Sequence, residues 1–285
     1  MADKSNTLHL QKSINVAGNL LDLATPRVMG ILNVTPDSFY AGSRKQELSA
    51  VLGSAEQMLI DGATFLDVGG YSSRPGASNI SEGEELDRMV PVIDALSKEF
   101  PEAILSADTF RAKVARLAVD AGAHVVNDIS AGCMDDRMLA TVGELGVPYI
   151  AMHMRGTPQT MNANTEYDDL LKEIMAYFAE RLAAARLAGI KDVIIDPGFG
   201  FAKKATQSFE LLQKLDHLAY LECPVLVGVS RKSMIYKTLN ISANEALNGT
   251  TVLNTVALGR GASILRVHDV KEAVEAVKLV NQLSV

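Results

Sequence analysis

Asp108, Asn127 and Asp196 each follow a short apolar run in this chain of 285 residues. Two carboxylates and an amide arriving from three strands suit a flat polar ligand held by its edge, because N–H donors on such an edge pair with carboxylate oxygens. A heterocycle fits that set better than a sugar or a peptide. A second group is cationic: Arg74 follows the second apolar run, Arg231 and Lys232 the seventh, and Arg266 and His268 the eighth. In barrels of alternating strands and helices, the loops after strands seven and eight commonly bind phosphate, so this group points to a phosphorylated substrate. Arg231 and Lys232 could simply open a solvated helix. Positive charge at a helix N-terminus opposes the helix dipole, however, and that favours a ligand-binding role.

These residues need elements that bring them to one place. Apolar runs of β character recur at 28–32, 64–68, 103–107, 124–126, 148–152, 193–195, 224–229 and 262–265. Between and after them, helical periodicity occupies 48–61, 84–99, 111–121, 136–145, 166–188, 206–218, 232–259 and 270–283. The interruption at 240–244 divides the long stretch 232–259 into two helices. Eight βα units with short connections predict a single (β/α)8 barrel of the TIM type over residues 28–285; an open doubly wound sheet is the rival. Residues 1–27 form an N-terminal extension, in which 7–23 read as a hairpin plugging the bottom of the barrel.

The active site of such a barrel lies at the carboxyl ends of its strands. There the sequence places Asn33, Asp67, Asp108, Asn127, His153, Asp196, Ser230 and Arg266. Strands end where polarity begins, so one polar residue means little, whereas eight polar residues in eight runs make a ring. Three loops, 33–39, 69–76 and 196–201, are rich in Gly, Pro and hydroxyl residues and suit closure over a ligand, although Gly-rich turns are often only turns.

Composition narrows the partners. A formal charge of −7 and a pI near 5.3 argue against general affinity for nucleic acid or anionic membrane. With 48% hydrophobic residues the chain can bury a sizeable core. No apolar run resembles a signal sequence or a membrane span, so the expectation is a cytoplasmic protein. Cys133 and Cys223 lie far apart, fit no zinc spacing, and are expected to be reduced core thiols.

In order along the chain, the segments MGILNVTPDSF, DVGGYSSRPGA, SADTF, VNDIS, MHMRGTPQTM, DPGFGFAK, GVSRKS and RVHDV resemble the dihydropteroate synthase family of pterin-binding barrels. The resemblance implies condensation of a 6-hydroxymethyl-7,8-dihydropterin diphosphate with 4-aminobenzoate, giving 7,8-dihydropteroate and pyrophosphate in folate biosynthesis. It also implies Mg2+, a homodimer and a target of sulfonamides. Carried over by position, Asp108, Asn127, Asp196 and Lys232 are expected to hold the pterin. Asn33, Ser73, Arg266 and His268 fall at the diphosphate, with Arg74 beside it and Asn33 as the Mg2+ ligand, and Val267 counts among the substrate contacts. The aminobenzoate carboxylate is expected near Ser233, with Phe39, Pro75 and Phe201 lining its pocket. This division predicts that Asp196→Ala removes pterin binding, whereas Arg266→Ala chiefly weakens the diphosphate substrate.

Three positions depart from the family pattern: Tyr71 replaces the usual Glu, Ser73 a frequent Thr, and Ala202 a common Gly. One alternative is a pterin-dependent methyltransferase barrel, moving a methyl group from methyltetrahydrofolate to a corrinoid. A non-catalytic pterin-binding protein of the same fold is another. Neither needs the diphosphate set of Asn33, Arg74, Arg266 and His268.

Overall fold

The computed structural model describes residues 13–34, 44–72 and 79–283. Ten strands and nine α-helices follow in order among them. Strands β1 (Ser13–Val16) and β2 (Asn19–Asp22) form an antiparallel hairpin. Its turn, Ala17-Gly18, has φ of 50° and 86°, the doubly left-handed geometry that matches the twist of a two-residue hairpin.

The other eight strands are β3 (Arg27–Asn33), β4 (Phe65–Gly69), β5 (Ile104–Asp108), β6 (Val125–Asp128), β7 (Tyr149–Met152), β8 (Val193–Asp196), β9 (Leu226–Val227) and β10 (Ile264–Val267). All pair in parallel, in the order β8-β7-β6-β5-β4-β3-β10-β9. A parallel bridge between Ile195 and Val225 joins the two ends and closes the ring. Closure removes the open-sheet alternative. The helices are α1 (Arg44–Ile60), α2 (Glu82–Glu99), α3 (Ala112–Asp120), α4 (Met138–Leu145), α5 (Leu170–Leu187), α6 (Ala205–Gln213), α7 (Ser233–Leu239), α8 (Leu247–Gly259) and α9 (Val270–Leu283). The stretch 232–259 is two helices, as its interruption predicts.

Strand alternation sorts the side chains into two layers. Met29, Phe65, Val125, Ile150, Ile194, Leu226 and Ile264 point into the barrel, where they pack with Ile14 and Val16 of the hairpin and with Leu23 just after it. The hairpin therefore seals the amino end of the barrel. The neighbouring positions, such as Val28, Val126, Ile195 and Leu265, point outward against Ile174, Phe178 and Leu182 of α5 and against the last helices. Each such fully buried side chain contributes about 1.5–3 kcal/mol. The seal and the shell together fix the polar residues one or two steps further along each strand.

Candidate functional site

Counted in steps of two from the sealing layer, Asn33, Asp67, Asp108, Asn127, Asp196 and Arg266 all point into the barrel. Asp67 is fully buried. Its Oδ2 accepts from Arg266 Nε at 2.6 Å and from Asn127 Nδ2 at 3.0 Å. Arg266 Nη2 donates to Asp108 Oδ2 at 2.7 Å. Burial works against the Arg266 charge, but Asp67 and Asp108 outweigh it and raise the guanidinium's hold on its proton. Burial pushes the Asp108 carboxyl up from the ordinary carboxylate range, with Arg266 opposing. Arg266, expected on the diphosphate, thus reaches into the group expected around the ring. The two groups share a residue.

Asp196 is buried, and its Oδ1 accepts the Gly198 N–H at 2.8 Å. Burial raises this carboxyl too, opposed by Lys232 and the Gly198 N–H. Lys232 Nζ donates to the Phe199 carbonyl and lies 4.7 Å from the centre of the Phe201 ring. Burial pulls this ammonium down to about 8, with Asp196 holding it up. Phe201, expected at the aminobenzoate, and Lys232, expected at the pterin, are therefore neighbours. Ser233 opens α7 beside them. Ser230 Oγ lies 3.0 Å from His268 Nδ1 and accepts the His268 backbone N–H at 3.2 Å, which fixes the imidazole over the end of β10.

Three expectations are corrected. Arg231 does not join the anion-binding group: its Nε and Nη2 form a two-point pair with Asp269 at 2.9 and 2.7 Å, and its Nη1 donates to the Asn244 carbonyl. Its place at a helix start reflects this clasp between the β9 loop and the start of α9. The Val267 side chain is buried in the outer shell, because it sits one step out of phase with Arg266. Cys133 is exposed, on the loop after β6, while Cys223 is buried as expected. Phe39, Ser73, Arg74 and Pro75 lie outside the described residues.

Other groups at this end escaped the sequence reading. Glu85 of α2 is buried and pairs with Arg111, while accepting from Thr109 Oγ1 at 2.6 Å; Arg111 Nη2 also donates to the Ile80 carbonyl. The residue after Asp108 is thereby tied to the chain entering α2. Asp128 accepts from Tyr149 Oη and from Ser130 and Gly132, which shapes the loop after β6. Tyr149 lies 21 residues from Asp128, and Thr109 and Arg111 lie 24 and 26 residues from Glu85, so no local motif reveals these pairs. Tyr71 packs edge-on against Phe110 at 5.0 Å, and its hydroxyl accepts from Gln159 Nε2 at 2.7 Å. This residue links the loops after β4 and β7.

His153 falls out of phase and faces away from the ring. Its Nδ1 lies 2.9 Å from Lys203 Nζ, and Lys203 also donates to the carbonyls of Gly198 and Phe201 at 3.1 Å. The buried lysine ties the 198–201 turn to the end of β7. Gly198 has φ of +70°, and a Cβ there would come within 2.1 Å of the His153 carbonyl oxygen, so only glycine fits. Ala202 has φ of +48°, a conformation glycine adopts without the Cβ penalty, which accounts for the glycine common at this place in the family pattern.

Burial, with help from Lys203, pushes the His153 imidazole down to about 2. Between that value and its ordinary 6.5 the unfolded chain takes up a proton that the folded chain refuses. Stability from this group is therefore complete above pH 6.5 and is lost as pH falls, by at most about 1.4 kcal/mol per pH unit. His153→Asn is expected to spare about 2 kcal/mol of the loss between pH 7 and pH 5. Urea titrations of both proteins at the two pH values check it; parallel losses would count against the buried neutral imidazole.

The model of the pterin binding enzyme family matches residues 29–268. The dihydropteroate synthase of Escherichia coli is 44% identical over 265 residues, 92% of this chain and 93% of that protein. A crystal structure of the Yersinia pestis dihydropteroate synthase with a sulfonamide drug complex superposes with a TM-score of 0.90 at 43% identity, covering 95% of this chain and 99% of that one. The Xanthomonas albilineans dihydropteroate synthase with 4-aminobenzoic acid gives 0.89 at 39% identity, covering 96% and 98%. The class defined by fold and site is a pterin-binding barrel enzyme, and this chain belongs to the pterin binding enzyme family. The relative and the two solved structures named above are all dihydropteroate synthases. Among the described residues, no helix is long and apolar enough to cross a membrane.

Proposed function

We propose that this chain catalyses the dihydropteroate synthase reaction, a transfer of a pterin-methyl group from diphosphate to the amine of 4-aminobenzoate. The carrying observation is the inward ring in which half-buried Asp108 and buried Asp196 stand among Asn127, Lys232 and Arg266. The 2-amino-4-oxo edge of a pterin offers N–H donors to Asp108 and Asp196, while Lys232 donates to a ring acceptor. Asn33, Ser73, Arg74, Arg266 and His268 take the diphosphate. The C–O bond breaks with its electron pair leaving on pyrophosphate. The ring spreads the positive charge left on the methylene carbon, under the field of the two carboxylates. The aniline nitrogen then forms the C–N bond and releases a proton. No protein nucleophile is required, so charge stabilisation is the main contribution.

Asn33, exposed at the end of β3, offers one amide oxygen to an Mg2+ ion. No group of three His, Cys, Asp or Glu side chains gathers among the described residues, a donor set that suits Mg2+ carried on substrate phosphates better than a protein cage. When bound, Mg2+ neutralises charge on the diphosphate. The free cysteines suit a reducing cytoplasm. A homodimer is supported by α8, which holds no charged residue over 13 positions and exposes Val252 and Val256, with Leu239 and Leu279 exposed on α7 and α9. Sedimentation at micromolar protein is expected to read twice the chain mass; a monomer there rules the dimer out.

The purified protein with Mg2+ is expected to release pyrophosphate from the pterin diphosphate when 4-aminobenzoate or a sulfonamide analogue is present. Absence of release under those conditions overturns the proposal.

A further inference from the structure

Asp67 pairs in register with Ser106, two positions before Asp108, so within the ring it lies one inward layer closer to the sealed end than the Asp108 carboxyl. It is fully buried, and Oδ2 alone carries its protein hydrogen bonds, one from Arg266 Nε and one from Asn127 Nδ2. Its Oδ1 has no protein partner, nor has the buried Oγ of Ser106, its register partner on β5. One oxygen thus anchors a residue of the proposed ring site and a residue of the proposed diphosphate site.

The guanidinium it holds is divided. Nε is committed to Asp67, inside the barrel, while Nη2 lies on Asp108, whose side chain keeps 17% of its surface exposed. A planar guanidinium can turn about a contact at Nε and carry its outer nitrogens from one acceptor to another without giving up its charge. Asp108 is in turn an acceptor wanted by ring N–H groups.

We propose that Asp67 is a positioning residue, the pivot that keeps Arg266 in place while its outer arm passes from Asp108 to the diphosphate. This rests on the functional reading above and adds a coupling to it. An anion that takes Nη2 frees Asp108 Oδ2 for the ring edge, and a ring that takes Asp108 frees Nη2 for the anion. Ring and diphosphate therefore favour each other's binding, and thermodynamic linkage makes the effect reciprocal.

Calorimetry with 6-hydroxymethylpterin and with pyrophosphate plus Mg2+, each alone and then together, reads the coupling. In the wild type, saturating pyrophosphate is expected to tighten the pterin by about tenfold, and the pterin to tighten pyrophosphate equally. Asp67→Asn keeps the shape but loses the charge that holds Nε; each ligand should still bind alone, with the mutual effect reduced to less than about twofold. A residue with only a structural role would weaken both ligands and leave the coupling intact. Asp67→Ser carries the same test if Asp67→Asn fails to fold, since it too removes the carboxylate that holds Nε while its hydroxyl can still accept from Asn127. Binding of both ligands without coupling in the wild type, or coupling that survives in the variants, overturns the pivot alone. A wild type that binds neither ligand overturns the functional reading and the pivot with it.

Discussion

Arg266→Met is expected to lower kcat/KM about a thousandfold and to destabilise the fold by about 3–5 kcal/mol. The first effect follows from removing a cation from the place where charge develops on the leaving diphosphate. The second follows from what Arg266 does before any ligand arrives. It is the cation between Asp67 and Asp108, at 2.6 and 2.7 Å, and its loss leaves Asp67 buried with only the Asn127 amide. Breaking a buried pair from one side is costly because the remaining charge has lost both water and its partner. Arg266→Lys restores charge but not the two-armed geometry, so it should recover part of the stability and little of the rate. Urea titration and steady-state pyrophosphate release separate the two effects. Unchanged stability in Arg266→Met would show that Asp67 does not depend on this guanidinium.

The same residue marks how far the sequence carries. Strand and helix periodicity locates all eight βα units, because an apolar run flanked by helical spacing is a local property of the chain. It also locates the ring: six of the eight strand-end residues fall in phase on the barrel's inner face, and Ser230 lies beyond the end of β9. His153 falls out of phase, since the phase of β7, set by Ile150, turns position 153 outward to Lys203. The run 148–152 gives the strand, but the phase depends on which of its apolar residues meets the hairpin seal. Partnerships across the barrel are further from view. Arg266 finds Asp67 and Asp108 at separations of 199 and 158 residues, and Arg231 finds Asp269 at 38. Charge and position make Arg231 and Arg266 look alike in the sequence. Only the fold shows that one clasps two loops and the other lies inside the ring.

Asp196→Asn is expected to weaken binding of a pterin by about 100- to 1,000-fold while leaving the fold as stable as the wild type or more so. The carboxylate offers acceptors only; an amide in its place presents N–H to the N–H donors of the ring edge, and a buried mismatch of that kind costs more than a lost bond. In the free protein the balance runs the other way. Burial already penalises the Asp196 charge, with Lys232 and the Gly198 N–H giving partial compensation. The amide oxygen can still accept from Gly198, so the turn at 197–200 keeps its anchor without the burial cost of a charge. Lys232 loses its supporting carboxylate and is expected to give up its proton at a pH below about 8, the value to which burial already brings it. Calorimetry with 6-hydroxymethylpterin against urea titration of the same samples tests both halves. Pterin affinity within threefold of the wild type would remove Asp196 from the ring site; a large loss of affinity together with a large loss of stability would mean that the charge holds the fold rather than the ligand.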